Sequence, residues 1–232
     1  MSMKCLLNID LGELPDEDEQ LYALAHVANI ACGGHAGDDA SIRHALEFCA
    51  RHGTRAGAHP SYVDREGFGR RALDVTPEVL RSQIVEQCAR LVAPAKALSV
   101  PVEFVKPHGA LYHSSTKDPQ LARAVVSAVS EVLGPRVIFI GPGSGALREA
   151  AREAGLTYAR EGFADRGTLP DGSLVPRGQP GAVITDPQVA KENAIRLARG
   201  GTIDTLCVHG DTPGAVTVAR EVRAALDTLE RS

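Results

Sequence analysis

The sequence predicts an α/β fold in which parallel strands close into an irregular seven-stranded (β/α) barrel. Seven times a short apolar run ends in a cluster of chemically capable polar residues, and the segment that follows reads as a helix. Alternation of strand and helix implies parallel pairing with right-handed crossovers. Chemistry after nearly every strand favours closure over an open doubly wound sheet. A barrel opens all its strand ends onto one face, whereas an open sheet gathers its site near one switch point.

The first strand is Cys5-Leu6-Leu7-Asn8-Ile9, ending in Asp10 and Glu13, and Asp16 to Glu19 read as an acidic, solvated loop. The second is Ala28 to Cys32, followed by Gly33-Gly34-His35-Ala36-Gly37-Asp38. From Asp39 to Ala50, the residues Ile42, Ala45, Leu46 and Cys49 recur at i, i+3, i+4 and i+7, one face of a helix that Gly53 stops. The third strand, Arg55 to Ala58, leads into His59-Pro60-Ser61-Tyr62. Thr76-Pro77 then caps and opens a helix carrying Val79, Leu80, Ile84, Val85, Cys88 and Leu91, which Pro94 is expected to end or kink.

Val102 to Val105 is the fourth strand and ends in Lys106-Pro107-His108-Gly109-Ala110-Leu111-Tyr112. Asp118-Pro119 opens the next helix, and Gly134-Pro135 stops it. Val137 to Ile140 precedes Gly141-Pro142-Gly143-Ser144-Gly145 and a helix over 145 to 154. The last two clusters are Glu161 to Arg166 and His209-Gly210-Asp211, with helices over 187 to 199 and 213 to 230. No low-complexity linker or composition break divides the chain, so residues 1–232 read as a single barrel domain.

Composition narrows the function. A net charge of −4 without a Lys/Arg block gives no reason to expect nucleic acid or an anionic membrane as partner. The chain opens without a charged and apolar leader, and no apolar run approaches the ~20 residues of a membrane span, so a cytoplasmic location is expected. The five cysteines are odd in number and lack C-x-x-C spacing, which suits packed, reduced thiols. Cys32 and Cys207 lie near polar clusters, but with no neighbouring cationic group apparent neither reads as a nucleophile.

His35, His59, His108 and His209 each follow a different strand, whereas His26, His44 and His52 fall in helical segments and read as structural or solvated. One Asp with two or three His converging on a pocket suits a divalent ion with an open position, which Asp10 and two or three of the four strand-end histidines can supply. No H-E-x-x-H spacing accompanies them. Lys106 is placed to bind a carboxylate or phosphate or to stabilise an oxyanion. Asp10 and Glu13 can divide base and acid work if their environments separate their pKa values. Asp165-Arg166 reads equally as an ion pair ordering its loop and as part of the site. Gly67-Phe68-Gly69-Arg70-Arg71 offers arginines to an acidic ligand, although Arg71 reads equally well as a surface-loop residue. Gly141 to Gly145 lacks the Lys-Ser/Thr ending of a nucleotide-binding P-loop.

Five stretches carry a family resemblance: Ala28 to Asp38, Gly57 to Tyr62 with Gly67 to Arg71, Val105 to Tyr112, Glu161 to Arg166, and Cys207 to Asp211. Together they resemble the LamB/YcsF family from about Leu7 to the final helix. The resemblance implies a barrel of the glycoside hydrolase/deacetylase type. It also implies ATP-dependent opening of the lactam 5-oxo-L-proline to L-glutamate, as the 5-oxoprolinase reaction, in complex with partner subunits B and C. On that reading Asp10, Glu13, His59, Lys106 and His108 are catalytic candidates. Asn29, His35, Arg70, Asp165, Arg166, His209 and Asp211 are candidates for binding substrate or phosphate. A divalent metal on Asp10, His35, His59 and His108 and a homo-oligomer are both compatible with it.

The chain departs from the family pattern in three places. It has Asn8-Ile9-Asp10 where Asn-Cys-Asp is usual, Gly33-Gly34-His35 where Gly-Phe-His is usual, and a shortened loop after Gly12-Glu13. Loss of the Phe beside His35 and the short loop are expected to widen or reshape the pocket. The alternatives are therefore a stand-alone metal-dependent amidohydrolase or deacetylase, a paralogue acting on another lactam, and a non-catalytic binding or regulatory subunit.

Overall fold

The computed structural model describes residues 5–169 and 173–231. Its strands β1 (Leu6–Leu11), β2 (Val27–Ala31), β3 (Arg55–His59), β4 (Val102–Val105), β5 (Ile138–Gly141), β6 (Thr157–Phe163) and β7 (Thr205–His209) form a closed barrel in chain order. Every pairing is parallel, and β1 closes the ring by pairing with β7 from Leu6↔Thr205 to Asp10↔His209. The expected seven-stranded barrel is the observed fold.

The helices are α1 (Gln20–Leu24), α2 (Asp39–His52), α3 (Pro77–Ala97), α4 (Gly109–Lys117), α5 (Pro119–Leu133), α6 (Ala146–Glu153), α7 (Pro187–Arg199) and α8 (Ala215–Arg231). Local chemistry starts and stops them. Asp38 and Ser41 form a reciprocal capping box on α2, and Gly53 closes it at φ 68°. Thr76, Asp118 and Asp186 cap α3, α5 and α7, each with proline at the start of the helix, where the missing N–H costs nothing.

Pro94 does not end α3. The helix continues to Ala97, and Leu98 N donates to the Pro94 carbonyl. Two helices, α1 and α4, have no counterpart among those read from the sequence, and α4 opens inside the fourth strand-end cluster at Gly109. None of the described helices is long and apolar enough to cross a membrane.

Alternation along the strands sorts side chains into two environments. One set, including Leu7, Ile9, Leu11, Ile30, Val105, Phe139 and Val208, joins the large core between barrel and helices. There it meets α3 through fully buried Leu80, Ile84, Cys88 and Leu91. Burial of each such Leu or Ile contributes about 1.5–3 kcal/mol. The opposite set points into the barrel. Val27, Phe104, Ile140 and Ala159 form a separate small apolar cluster that plugs one part of it. Gly57 makes room, since a Cβ there would lie 3.0 Å from that of Phe104. Further along the same inward rows the residues turn polar.

Candidate active site

A hydrogen-bonded polar layer sits above the apolar plug. Asn8 Nδ2 donates to Thr205 Oγ1 at 2.9 Å, and Asn29 Nδ2 donates to Asn8 Oδ1 and Asp10 Oδ1, each at 2.8 Å. Asn29, expected to bind substrate or phosphate, is fully buried and instead holds Asp10 in position.

Above this layer Lys106, 2% exposed, approaches Asp10 at 2.9 Å, Glu161 Oε1 at 2.8 Å and Cys207 Sγ at 3.0 Å. Burial alone would discharge an ammonium. Asp10, Cys207 and Glu161 outweigh it and hold the Lys106 pKa well above the usual lysine range. Burial likewise pushes Asp10 towards protonation, but His59 and Lys106 prevail and keep its carboxyl well below the ordinary carboxylate range. Lys106, expected to receive an anionic ligand group, has its donors committed to protein partners, because Asn8, Asp10, Cys207 and Glu161 surround its ammonium. Cys207 does have a cationic neighbour, contrary to the sequence reading. Burial still pushes its thiol well up, with Asp10 adding to the effect, so it is not an activated thiolate.

A second group lies beside the first. His35 Nε2 is 2.9 Å from Glu13 Oε1, His108 Nδ1 is 3.2 Å from the same oxygen, and His108 Nδ1 is 3.0 Å from His59 Nε2. The His35 and His108 rings stack at 3.6 Å with 2° between their planes. Burial pushes His35 down to about 4, and lowers His108 as well, against the pull of Glu13. For Glu13 the burial penalty is overcome by the imidazoles of His108 and His35 beside it, so its carboxyl too lies far below its ordinary value. The expected separation of Asp10 and Glu13 into base and acid therefore does not occur. Both environments favour the ionised form.

The loop after β3 presses on this group. Phe68, at φ 52°, offers its carbonyl to His108 Nε2 at 2.9 Å, and its ring meets those of His35 and His108 at 77° between planes. Gly69, at φ 64°, passes so close that a Cβ would lie 2.8 Å from His35 Cβ and 2.9 Å from His108 Cδ2. On the other flank His209 Nδ1 meets Asp165 at 3.0 Å, and Asp165 also accepts from the His209 backbone N–H at 2.8 Å. Burial opposes both charges, but each partner outweighs it for the other, raising His209 and lowering Asp165.

Four expectations are corrected here. Asp165 pairs with His209, and Arg166 donates to the carbonyls of Ala182 and Val175, so these neighbours pin separate segments instead of pairing with each other. Arg166 is a loop anchor of this kind and not an open ligand contact. Glu17 is not solvated: it accepts from Gly12 N at 2.7 Å and from the Tyr22 hydroxyl at 2.6 Å. Position 34 opens no space in the pocket, because a Cβ there would meet Gln87 Oε1 at 2.3 Å and Ser61 Oγ at 2.4 Å. Arg71 pairs with Asp64. Arg70 bridges to Asp211 at 2.5 Å and, at 38% side-chain exposure, forms the rim. In Gly141 to Gly145, Gly145 packs on Thr116 at φ 108°, a geometric role.

Two clusters have metal-type donors close together: Glu13 with His35, His59 and His108, and Asp10 with Cys207 and His209. The structure thus groups Glu13, in place of Asp10, with the three histidines. Asn8, Glu161 and Cys207 are not among the residues that the sequence singles out for the site. Asn8 shares strand parity with Asp10 and Cys207 with His209, and that period of two is the signal available for finding them, whereas Glu161 enters through the register of β6 beside Thr205. A cleft of about 650 Å³ lined by Lys96, Val102 and Arg136 lies at the opposite end of the barrel from these clusters. Its lining carries no carboxylate, imidazole or thiol.

These features define a (β/α)-barrel protein with an acid, base and ammonium constellation buried at the C-terminal strand ends. The chain belongs to the LamB/YcsF family, whose model matches residues 6–231. It is 45% identical to the Streptomyces avermitilis protein named as the A subunit of 5-oxoprolinase, covering 95% of each chain. The Syntrophobacter fumaroxidans protein of the same name is 41% identical, with 97% of this chain and 96% of that one covered. Among solved structures, the lactam utilization protein of Thermus thermophilus superposes with a TM-score of 0.90 at 37% identity, covering 98% of both chains.

Proposed function

We propose that this chain opens the lactam ring of 5-oxo-L-proline to L-glutamate as the A subunit of an ATP-dependent 5-oxoprolinase, together with subunits B and C. The observation that carries this reading is near-full-length identity of 41–45% to relatives named for that subunit. An unactivated lactam is a poor electrophile. Phosphorylation of its oxygen at the expense of ATP makes the ring carbon electrophilic; water adds there, the C–N bond breaks to leave the open-chain acyl phosphate, and a second water releases phosphate and glutamate.

In this scheme Asp10, held ionised and oriented by Asn29 and Lys106, accepts a proton from the attacking water. His209, kept protonated by Asp165, lies with Nε2 3.9 Å from Asp10 Oδ2 and delivers a proton to the departing ring nitrogen. Arg70 at the rim is the group free to exchange Asp211 for an anionic ligand. The donor cluster of Glu13 and three histidines favours a second reading, a metal-dependent amidohydrolase that works alone.

One assay separates the two: glutamate formed from 5-oxoproline by this chain, alone and mixed with subunits B and C, with and without ATP. Turnover only in the ATP-containing mixture supports the first reading. Turnover by the chain alone without ATP replaces it with the second, and none in any mixture points to another lactam.

A further inference from the structure

The hydrogen bonds on the far side of two histidines dictate what can sit between them. His59 Nδ1 lies 2.7 Å from the Lys106 carbonyl, and His108 Nε2 lies 2.9 Å from the Phe68 carbonyl. A carbonyl only accepts, so in each ring that outer nitrogen carries the proton. The inner nitrogens, His59 Nε2 and His108 Nδ1, then present lone pairs to each other at 3.0 Å. Glu13 Oε1, a third acceptor, lies 3.2 Å from the latter and 3.7 Å from the former. Three electron-rich atoms thus converge in a buried space with no donor among them.

His35 Nε2 adds a fourth atom, 2.9 Å from Glu13 Oε1. All four lie within 4.8 Å of one another. Ligands at about 2.0–2.1 Å around a tetrahedral ion stand roughly 3.3 Å apart, close to the observed separations of 2.9, 3.0, 3.2 and 3.7 Å. Backbone carbonyls on the outer nitrogens are also the usual way a metal-binding histidine is oriented. Acidic groups exceed basic ones here. Asp10, Glu13, Glu161 and Asp165 have buried carboxylates in this region against Lys106, His209 and Arg166.

We propose that Glu13, His35, His59 and His108 form a binding site for one divalent cation of the imidazole-preferring kind, zinc foremost. Lone pairs from four different strand ends meet at the cation, which replaces their mutual repulsion with attraction. Asp10 lies outside this set. Its Oδ2 is 3.4 Å from His59 Nε2, with Lys106 on its other side.

The test needs no substrate, so its outcome is independent of the reading as a 5-oxoprolinase. The full chain is stripped with a chelator, dialysed and titrated with zinc by calorimetry, and its cobalt complex is examined for the visible absorption of a four-coordinate site. The expected result is one zinc per chain, a rise in Tm on loading and a tetrahedral cobalt spectrum. The isosteric Glu13→Gln should weaken binding by ~100-fold or more. Substitution His52→Ala, at an exposed histidine paired with Glu19, should leave binding unchanged. A wild-type chain that takes up no stoichiometric zinc, or a Glu13→Gln chain that is folded by circular dichroism and binds as tightly as wild type, overturns the site. Loss of binding in His52→Ala equal to that in Glu13→Gln assigns the ion to the surface and overturns it as well.

Discussion

Lys106 shows how much one side chain can carry. Its ammonium neutralises Asp10 and Glu161 inside the barrel, so Lys106→Met strands two acidic groups without their cation. Removing one partner of a buried pair costs about 3–5 kcal/mol. We expect that loss in urea denaturation, with turnover abolished. Adding Asp10→Asn should recover part of the stability and none of the turnover. Full recovery of turnover would show that the pair is structural only. Gly69 is a second sensitive point. Gly69→Ala must push a methyl against His35 and His108 at a positive φ, so it should lower activity at least tenfold with only a small drop in Tm. Unchanged kcat would mean that the loop yields without moving the rings.

At the scale of elements, capping and inter-strand pairing make separate predictions. Asp118 Oδ1 accepts from Gln120 N at 2.7 Å and Leu121 N at 3.3 Å at the head of α5. Asp118→Ala should cost about 1 kcal/mol and Asp118→Asn much less. Equal losses in chemical denaturation would exclude a capping role. Asp165 and His209 join the ends of β6 and β7 and give stability a pH signature. Asp165 has a lowered folded pKa, so its contribution is present above the ordinary value of about 3.9 and is lost as pH falls through the folded value. His209 has a raised one, so its contribution is complete below about 6.5 and is lost as pH rises through the folded value. The pair should therefore stabilise most between about pH 4 and 6.5. The difference in Tm between wild type and Asp165→Asn should peak in that window. A difference that is flat with pH would rule out the linkage.

For the whole molecule, closure depends on joining the first strand to the last. Asn8 Nδ2 donates to Thr205 Oγ1 at 2.9 Å across 197 residues of sequence, beside the β1–β7 pairing. Asn8→Ala leaves buried partners unsatisfied and should cost about 1–3 kcal/mol. A double-mutant cycle with Thr205→Val should show coupling between them, and additive losses would place the seam's stability in the backbone pairing alone. The alternating strand and helix patterns, the caps at Thr76 and Asp118 and the seven strand-end clusters were legible in the chain because each depends on near neighbours. So was the convergence of Asp10 and the histidines on one face, since parallel strands carry their C-terminal ends together. Tertiary structure alone decided the partners within that face. Glu13 rather than Asp10 joins the three histidines, Asp165 turns to His209, and Lys106 is enclosed by Asp10, Glu161 and Cys207. Those choices depend on strand register and loop path, which set ångström-scale distances between residues far apart in the chain, and no local pattern encodes them.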